Sequence, residues 1–361
     1  MLQKLCSFVG INADSMKKLF TLFICTWVII TNLFAQKKSY NICAVAFYNF
    51  ENLFDTVDAP YKFDEEFLPQ GAYAYTGEVY HQKLKNLAQV ISEIGTDLTP
   101  DGPVILGTAE IENGTVLQDL IAQPAIAQRG YQYVWFDGPD SRGIDVALLY
   151  NPNYFKVLFA QAHTVDLNGS ELKGGATRDI LYVNGILMGD TAHFIVGHWP
   201  SRRGGEAASA PLRAIAAHVC KNIIDSLFAV NEQSKIILMG DLNDDPVSPS
   251  VTKVIGAESH LKKLSPKSMY NPWMSLYKRG RGTLAYQDRW NLFDQILLST
   301  PWITDTKGWR FYKNEVFRRQ YLVSQFGRYK GYPLRSFDGN IWQNGYSDHF
   351  PTVVYLVKEK D

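Results

Sequence analysis

Cysteine is scarce, net charge is nil and no segment repeats. Four cysteines occur in 361 residues, and two of them precede residue 26. The remaining pair, Cys43 and Cys220, read as buried free thiols or, after export, as one disulfide. There is no Cys/His cluster at metal-binding spacing, which excludes a structural zinc site. The 36 basic and 36 acidic side chains cancel, so any phosphate-bearing partner must be met by local basic clusters, not by a globally basic surface. The lack of an internal period excludes a solenoid or propeller. The lack of a linker or compositional break from Tyr40 onward excludes a string of modules. Aromatics, by contrast, are plentiful: 20 Tyr, 20 Phe and 8 Trp supply a large core with rings to spare for binding surfaces.

The N-terminal segment stands apart. Met16-Lys17-Lys18 precedes an uncharged apolar stretch, residues 19–35, and the next charge is Lys37. A basic start, an apolar middle and a small residue at Ala35 predict a signal peptide cleaved after Ala35, with residues 1–15 as an upstream extension. The protein is then exported, to the periplasm or beyond the cell. The rival is an uncleaved N-terminal membrane anchor, which the polar Thr26, Thr31 and Asn32 weaken. A mature chain from residue 36 carries 33 basic and 35 acidic residues. Residues 36–361 are expected to form a single domain, monomeric and without an obligate protein partner.

Within that domain, short apolar runs bounded by Gly, Asn, Asp or Pro predict strands, among them 42–48, 104–109, 144–150, 193–196, 236–239, 295–298 and 353–356. Apolar spacing of three and four predicts helices over 83–94 and 212–227, the second starting near Ser209 and Pro211. Many strands with few helices imply a mixed α/β protein with two sheets. Two polar stretches, 248–288 and 314–346, read as long loops or hairpins. Both mix arginine and lysine with aromatics, a composition that suits phosphates and bases, a lipid headgroup, or simply a packed hairpin with solvated charges.

Polar residues recur where the apolar runs end: Asn49 and Glu51, Glu110 and Glu112, Asp145, His198, Asp241 with Asn243, Asp294, Asp348 and His349. Each alone reads as a solvated end or a turn residue. Brought to one rim, they make a carboxylate-rich cluster with two histidines and two amides. Oxygen donors of that kind suit Mg²⁺, Mn²⁺ or Ca²⁺. Such a centre can hydrolyse a phosphoester, the cation offsetting phosphoryl charge while a carboxylate or imidazole moves a proton. Arg142 and Arg202 lie near these positions as candidate phosphate forks. Asp145 has a structural alternative as a hydrogen-bond acceptor, and Arg178-Asp179 reads as a surface ion pair or a further phosphate contact.

The segments YNFENLFD (48–55), GTAEIEN (107–113), GDLND (240–244), FDQILLS (293–299) and YSDHFP (346–351) together resemble the endonuclease/exonuclease/phosphatase superfamily, in its order and over nearly all of 40–358. The resemblance implies a four-layer αββα sandwich, two packed mixed sheets flanked by helices as in deoxyribonuclease I. It implies that Glu110 is the principal metal carboxylate, with Asn49, Glu51 and Asp348 beside it. Relatives often carry Asp at the Glu51 position. It implies that Asp241 and Asn243 orient the attacking water and the phosphate, that His349 contacts the phosphate or acts as base, and that Asp294 pairs with it. His198 is expected as general acid. The implied activity is divalent-metal-dependent phosphodiester hydrolysis, a nuclease acting on DNA or RNA. The alternatives are a phosphatase or sphingomyelinase-like esterase on a small or lipid phosphoester, and a binding protein without catalysis.

Overall fold

Two β-sheets lie face to face, and alternation along their strands decides which side of each is covered by helix. In the computed structural model, residues 14, 15, 17, 18, 20–23, 39–168 and 175–360 are described. The predicted cleavage point at Ala35 and most of the apolar stretch before it lie outside them. The chain divides into residues 1–41 with 359–361, and residues 42–358. In the first, the described residues between 14 and 23 are helical, with Phe20, Leu22 and Phe23 exposed. Among the described residues no helix is long and apolar enough to cross a membrane.

The larger unit begins within β1 (Tyr40–Leu53). One sheet runs β14-β17-β1-β2-β4-β3, where β2 is Pro103–Ile111, β3 Gln132–Trp135, β4 Asp145–Tyr150, β14 Arg310–Val316 and β17 Thr352–Glu359. The other runs β5-β6-β7-β8-β13-β10-β9, where β5 is Phe155–His163, β6 Ile180–Leu187, β7 Asp190–His198, β8 Lys235–Asp241, β9 Ala257–Glu258, β10 Met269–Tyr270 and β13 Asp294–Ser299. Both sheets are mixed: β1–β2 and β7–β8 are parallel, whereas β2–β4 and β8–β13 are antiparallel.

Side chains alternate across each strand. Val45 and Phe47 of β1 meet Ile237 and Met239 of β8 in the core between the sheets. The intervening Ala44, Ala46 and Tyr48 turn outward, under α1 (Gly77–Glu93) and α2 (Gly114–Ile121). Ile236 and Leu238 turn outward on the other side, under Ala216, Cys220, Ile223 and Phe228 of α3 (Glu206–Val230). Helix, sheet, sheet, helix is the layering the sequence implied. Cys43 and Cys220 are both buried and free.

Helix α3 starts earlier than its sequence suggests. Its first residue is Glu206 and Pro211 lies inside it. Proline lacks the N–H that a helix interior needs, and the first turn before it is tied by side chains: Ser209 Oγ donates to the Gly205 carbonyl at 2.7 Å, and Arg213 Nη2 donates to the Glu206 carbonyl at 2.9 Å. The polar stretches, expected as long loops or hairpins, contain short strands. A hairpin of β11 (Leu284–Tyr286) and β12 (Arg289–Asn291) rises from the first of them.

The parallel pair β7–β8 sets the position of the site. Its last register partners are Gly197 with Gly240 and His198 with Asp241. A Cβ built on Gly240 would lie 2.0 Å from the Gly197 carbonyl oxygen. Only hydrogen fits there, which brings the two strand ends together. Gly240→Ala is therefore expected to lower stability by about 2 kcal/mol through overpacking and to separate His198 from Asp241. Urea melts and turnover measured on the same preparation check both effects.

Candidate active site

Three strand ends stand side by side: His198 closes β7, Asp241 closes β8 and Asp294 opens β13, with His198–Asp241 and Asp241–Asp294 as direct register partners. The other sheet supplies Asn49 from β1 and Glu110 from β2. Asp241 Oδ2 is where the groups converge. Asn49 Nδ2 donates to it at 3.2 Å, His198 Nε2 lies 3.6 Å away and His349 Nε2 3.9 Å away. Asn49 Nδ2 also reaches Glu110 Oε1 at 3.3 Å, so one amide ties together carboxylates of both sheets. Its carbonyl oxygen accepts the Glu51 N–H at 2.9 Å.

The backbone here is strained. Glu51, Asn52, Glu110 and Asn243 all have φ between 49° and 62°, a left-handed conformation that side chains other than glycine seldom adopt. At Glu51–Asn52 and at Glu110 the strand registers shift as well. The bends turn side chains toward the rim, and local bonds hold them there. The Asn52 N–H donates to Glu110 Oε2 at 3.0 Å, and the Asn243 N–H to Asp241 Oδ1 at 3.0 Å. Asn243 Nδ2 is committed to the Trp199 carbonyl at 3.0 Å.

The two histidines are held in different states. His349 Nδ1 bonds Asp294 Oδ2 at 2.7 Å. Burial opposes the imidazolium, but Asp294, then Asp241 and Asp348, hold its pKa well above the ordinary range. His198 is pushed well below that range by burial, with the positive charges of Arg178, Arg142 and His349 acting the same way. These prevail although Glu110 Oε1 and Asp241 Oδ2 lie 3.7 and 3.6 Å from its Nε2. Burial also raises Asp241 to about 7, with His349 pulling it down and Asp294 and Glu110 adding to the rise.

A divalent cation fits this donor set. Asp241, Asp294 and His349 bring ligand atoms within 4.8 Å of one another. Asp294 Oδ1 is buried and, among the described residues, has no hydrogen-bond partner. Yet the short Asp294–His349 bond already engages two of those three groups. Glu110 lies beside Asn49 and Asp241, and each of its oxygens, one taking Asn49 Nδ2 and the other the Asn52 N–H, keeps a second lone pair for a cation. Glu51 and Asp348 form a second acidic spot. Burial and Asp348 raise Glu51 to about 7, against the pull of Lys83, the Ser336 N–H and Arg335. Arg335 lies 3.7 Å from Asp348.

The candidate phosphate forks have protein partners. Arg202 donates from Nε to the Asn243 carbonyl at 2.9 Å and pairs with Asp244, Asp245 and Glu206, its guanidinium over the Phe293 ring. It braces the loop that carries Asn243. Arg142 pairs with Asp140 at 3.3 Å and is half exposed. Arg178 is neither a surface ion pair nor a substrate contact in this structure. It is buried, with Nε on the His198 carbonyl at 3.1 Å, Nη2 on the Trp199 carbonyl at 2.7 Å and Nη1 on Asp140 at 3.1 Å. An Arg-Asp dipeptide beside a strand looks superficial in sequence, because nothing local shows which carbonyls converge on it. Asp145 takes its structural alternative, accepting from Gly138 N–H at 3.1 Å and Trp135 Nε1 at 3.1 Å.

Lys83 was not a candidate. It is fully buried, and its Nζ bonds Ser336 Oγ at 2.6 Å and the Glu51 carbonyl at 2.7 Å. Its signal was present in sequence: a cation three residues after Tyr80 and four before Leu87, inside the apolar stripe of α1. Ser347 is a second omission. Its Oγ donates to the Asn49 carbonyl at 2.7 Å and accepts the His349 N–H at 3.0 Å, fastening the histidine loop to β1.

Two outcomes follow. Arg178→Gln leaves two buried carbonyls and Asp140 short of a donor and is expected to cost about 3 kcal/mol, read as a lower urea midpoint. Asp145 is raised by burial to about 7, above its unfolded value of about 3.9. Its stabilising contribution is thus complete below about pH 4 and lost as pH rises through 7. Asp145→Asn should lose less stability than the parent between pH 5 and pH 8, whatever its absolute stability.

The model of the endonuclease/exonuclease/phosphatase family matches residues 44–358. Comparison with curated protein sequences finds no match. Among solved structures, an endonuclease/exonuclease/phosphatase family protein from Bacteroides thetaiotaomicron is 16% identical, with TM-score 0.56, 90% of this chain and 100% of that one being covered. A mannosyl-6-phosphatase from the same organism is 18% identical, with TM-score 0.53, covering 87% and 99%. TDP2 from D. rerio, complexed with a single-strand DNA product, is 12% identical, with TM-score 0.51, covering 88% and 99%. At these identities the likeness is one of fold. The family match over most of the chain carries the assignment: this protein belongs to the endonuclease/exonuclease/phosphatase family.

Proposed function

We propose that the chain is a divalent-metal-dependent phosphodiesterase acting on nucleic acid. The observation that carries this reading is the convergence on Asp241 Oδ2 of Asn49 and two imidazoles, one of them backed by Asp294. Bound by Glu110 with Asp241, and with Glu51 and Asp348 at a second position, Mg²⁺ or a similar cation would offset the phosphoryl charge. Asp241 has acceptor capacity for the proton of the attacking water. That water's oxygen forms the new bond to phosphorus as the bond to the leaving oxygen breaks. His349, oriented by Asp294 through Nδ1, presents Nε2 to the phosphate and is the imidazole with a proton to give. His198, held neutral, lies 3.6 Å from Asp241 and 3.7 Å from Glu110, and in this reading it is a neutral neighbour of both carboxylates instead of the general acid. Asn243 and Arg202 shape the loop, with Arg142 left as the phosphate-facing arginine.

A second reading has one observation in its favour. A cavity of about 240 Å³ lined by Glu51, Asn52, Tyr73 and Arg335 adjoins the acidic rim, and it is of a size to hold part of a small phosphosugar. The similar mannosyl-6-phosphatase gives that reading a precedent. The basic Lys17-Lys18 and the apolar run that follows them support export as a further part of the proposal.

The full chain is to be incubated with single-stranded DNA, RNA, bis-p-nitrophenyl phosphate and mannose 6-phosphate, with Mg²⁺ and with EDTA. EDTA-sensitive cleavage of a nucleic acid and of the small diester is expected. Asp241→Asn and His349→Gln should each lower kcat by about 10³-fold, and Asp294→Asn by about 10²-fold. Turnover of the sugar phosphate alone would replace the diesterase reading with the phosphatase one.

A further inference from the structure

The two basic-aromatic stretches, separated by residues 289–313, line one cavity. It has a volume of about 690 Å³ and takes Arg279 and Arg281 from the first stretch, Arg318, Lys330 and Tyr332 from the second, and Trp290 from the β11–β12 hairpin. Its lining is tied to the candidate site through Phe350 and Thr283. Phe350, the residue after His349, lines it, and the Phe350 N–H donates to the Thr283 carbonyl at 2.7 Å. Thr283 Oγ1 in turn accepts the Asp294 N–H at 3.4 Å.

The charges in this cavity are unevenly matched. Its two acids are already engaged: Asp288 accepts from Tyr332 Oη at 2.7 Å, and Glu315 accepts from Lys313 Nζ at 3.2 Å and Tyr355 Oη at 2.7 Å. Arg318 lies over the Trp290 and Phe350 rings at 5.8 and 5.5 Å. Arg279, Arg281 and Lys330 form no ion pair among the described residues. Three cations without acidic partners around a concave surface focus a positive potential on it. That concentrates, on one face of a chain with no net charge, the basic surface that the whole composition lacks.

A second cavity, also about 690 Å³, lies across Trp290, with Arg203 and Arg289 in its lining. Phe293, the residue before Asp294, lines that one. The two cavities share Trp290, and each is lined by a neighbour in sequence of a candidate site residue, Phe350 after His349 and Phe293 before Asp294. A small phosphomonoester fills one cavity at most, whereas a strand has groups for both sides.

We infer that the cavity of Arg279, Arg281 and Lys330 is a strand subsite, holding backbone phosphates of nucleotides beyond the one being cut. This rests on the phosphodiesterase reading. Guanidinium forks suit phosphate oxygens, and an ammonium adds a point charge.

Binding of a fluorescein-labelled single-stranded DNA 12-mer to the full chain is measured by anisotropy in EDTA across a salt series. The variants are Arg279→Ala/Arg281→Ala/Lys330→Ala and a charge-matched control, Lys253→Ala/Lys262→Ala/Lys263→Ala, outside both cavities. The cavity triple is expected to weaken binding at least tenfold near 0.1 M salt and to flatten the log–log salt slope by about 2. The control should stay within threefold of the parent. In Mg²⁺, the ratio of kcat/KM for the strand to that for bis-p-nitrophenyl phosphate should fall at least tenfold in the cavity triple. Equal losses in both triples, parent-like binding by the cavity triple, or no strand binding by the parent overturns the inference. Strand binding that depends on the cavity, without hydrolysis of any diester, keeps the subsite and retires the hydrolytic reading. Diester hydrolysis without strand binding does the reverse.

Discussion

One carboxylate oxygen, Asp241 Oδ2, is the point on which the site depends. It is reached by an amide from one sheet, an imidazole from the neighbouring strand and an imidazole from the loop before β17. A buried carboxylate is costly unless it is hydrogen-bonded and near compensating charge. Asp241 meets that requirement only when both sheets and the His349 loop are in place. Folding and assembly of this polar group are in this sense one event. The same burial raises Asp241 and lowers His198, whereas the carboxylates of Asp294, Asp241 and Asp348 leave the proton on His349 against it. Neighbouring titratable groups driven apart in this way are what proton transfer near neutrality requires.

Around that point the structure spends polar groups on position. Arg178 fixes the turn after β7 by bonding its carbonyls. Arg202 fixes the loop after β8, and Ser347 fastens the loop before β17 to β1. None of the three needs to touch a substrate to matter, since a displacement of a catalytic group by an ångström is enough to cost much of the rate. The left-handed residues Glu51, Glu110 and Asn243 belong to the same scheme. Strain that would be unfavourable elsewhere is held by hydrogen bonds with Asn49, Asn52 and Asp241.

Much of this was legible in the chain. Strand alternation and the two apolar helical stripes point to a layered α/β protein, because burial on one face imposes a period that survives in sequence. The positions of Asn49, Glu110, His198, Asp241, Asp294 and His349 were legible too, because each sits where an apolar run stops. The start of α3 was not. Its N-terminus is maintained by Ser209 and Arg213 side chains around a proline that would ordinarily mark a first turn. Arg178 and Arg202 were read as outward-facing for a similar reason: their partners are carbonyls and carboxylates some 20 to 40 residues away.

The sequence by itself determined the residue types, the strand and helix periods and the family, all of which are set by local spacing and by motifs in fixed order. Tertiary structure decided which charges meet. It put His198 and Asp241 at the same height by the glycine contact of β7 and β8, and it drew the proton to His349 by placing Asp294 against Nδ1. It also gathered Arg279, Arg281, Arg318 and Lys330 from separate loops around one cavity. Electrostatic energy depends on distance and burial, and neither is a property of position along a chain.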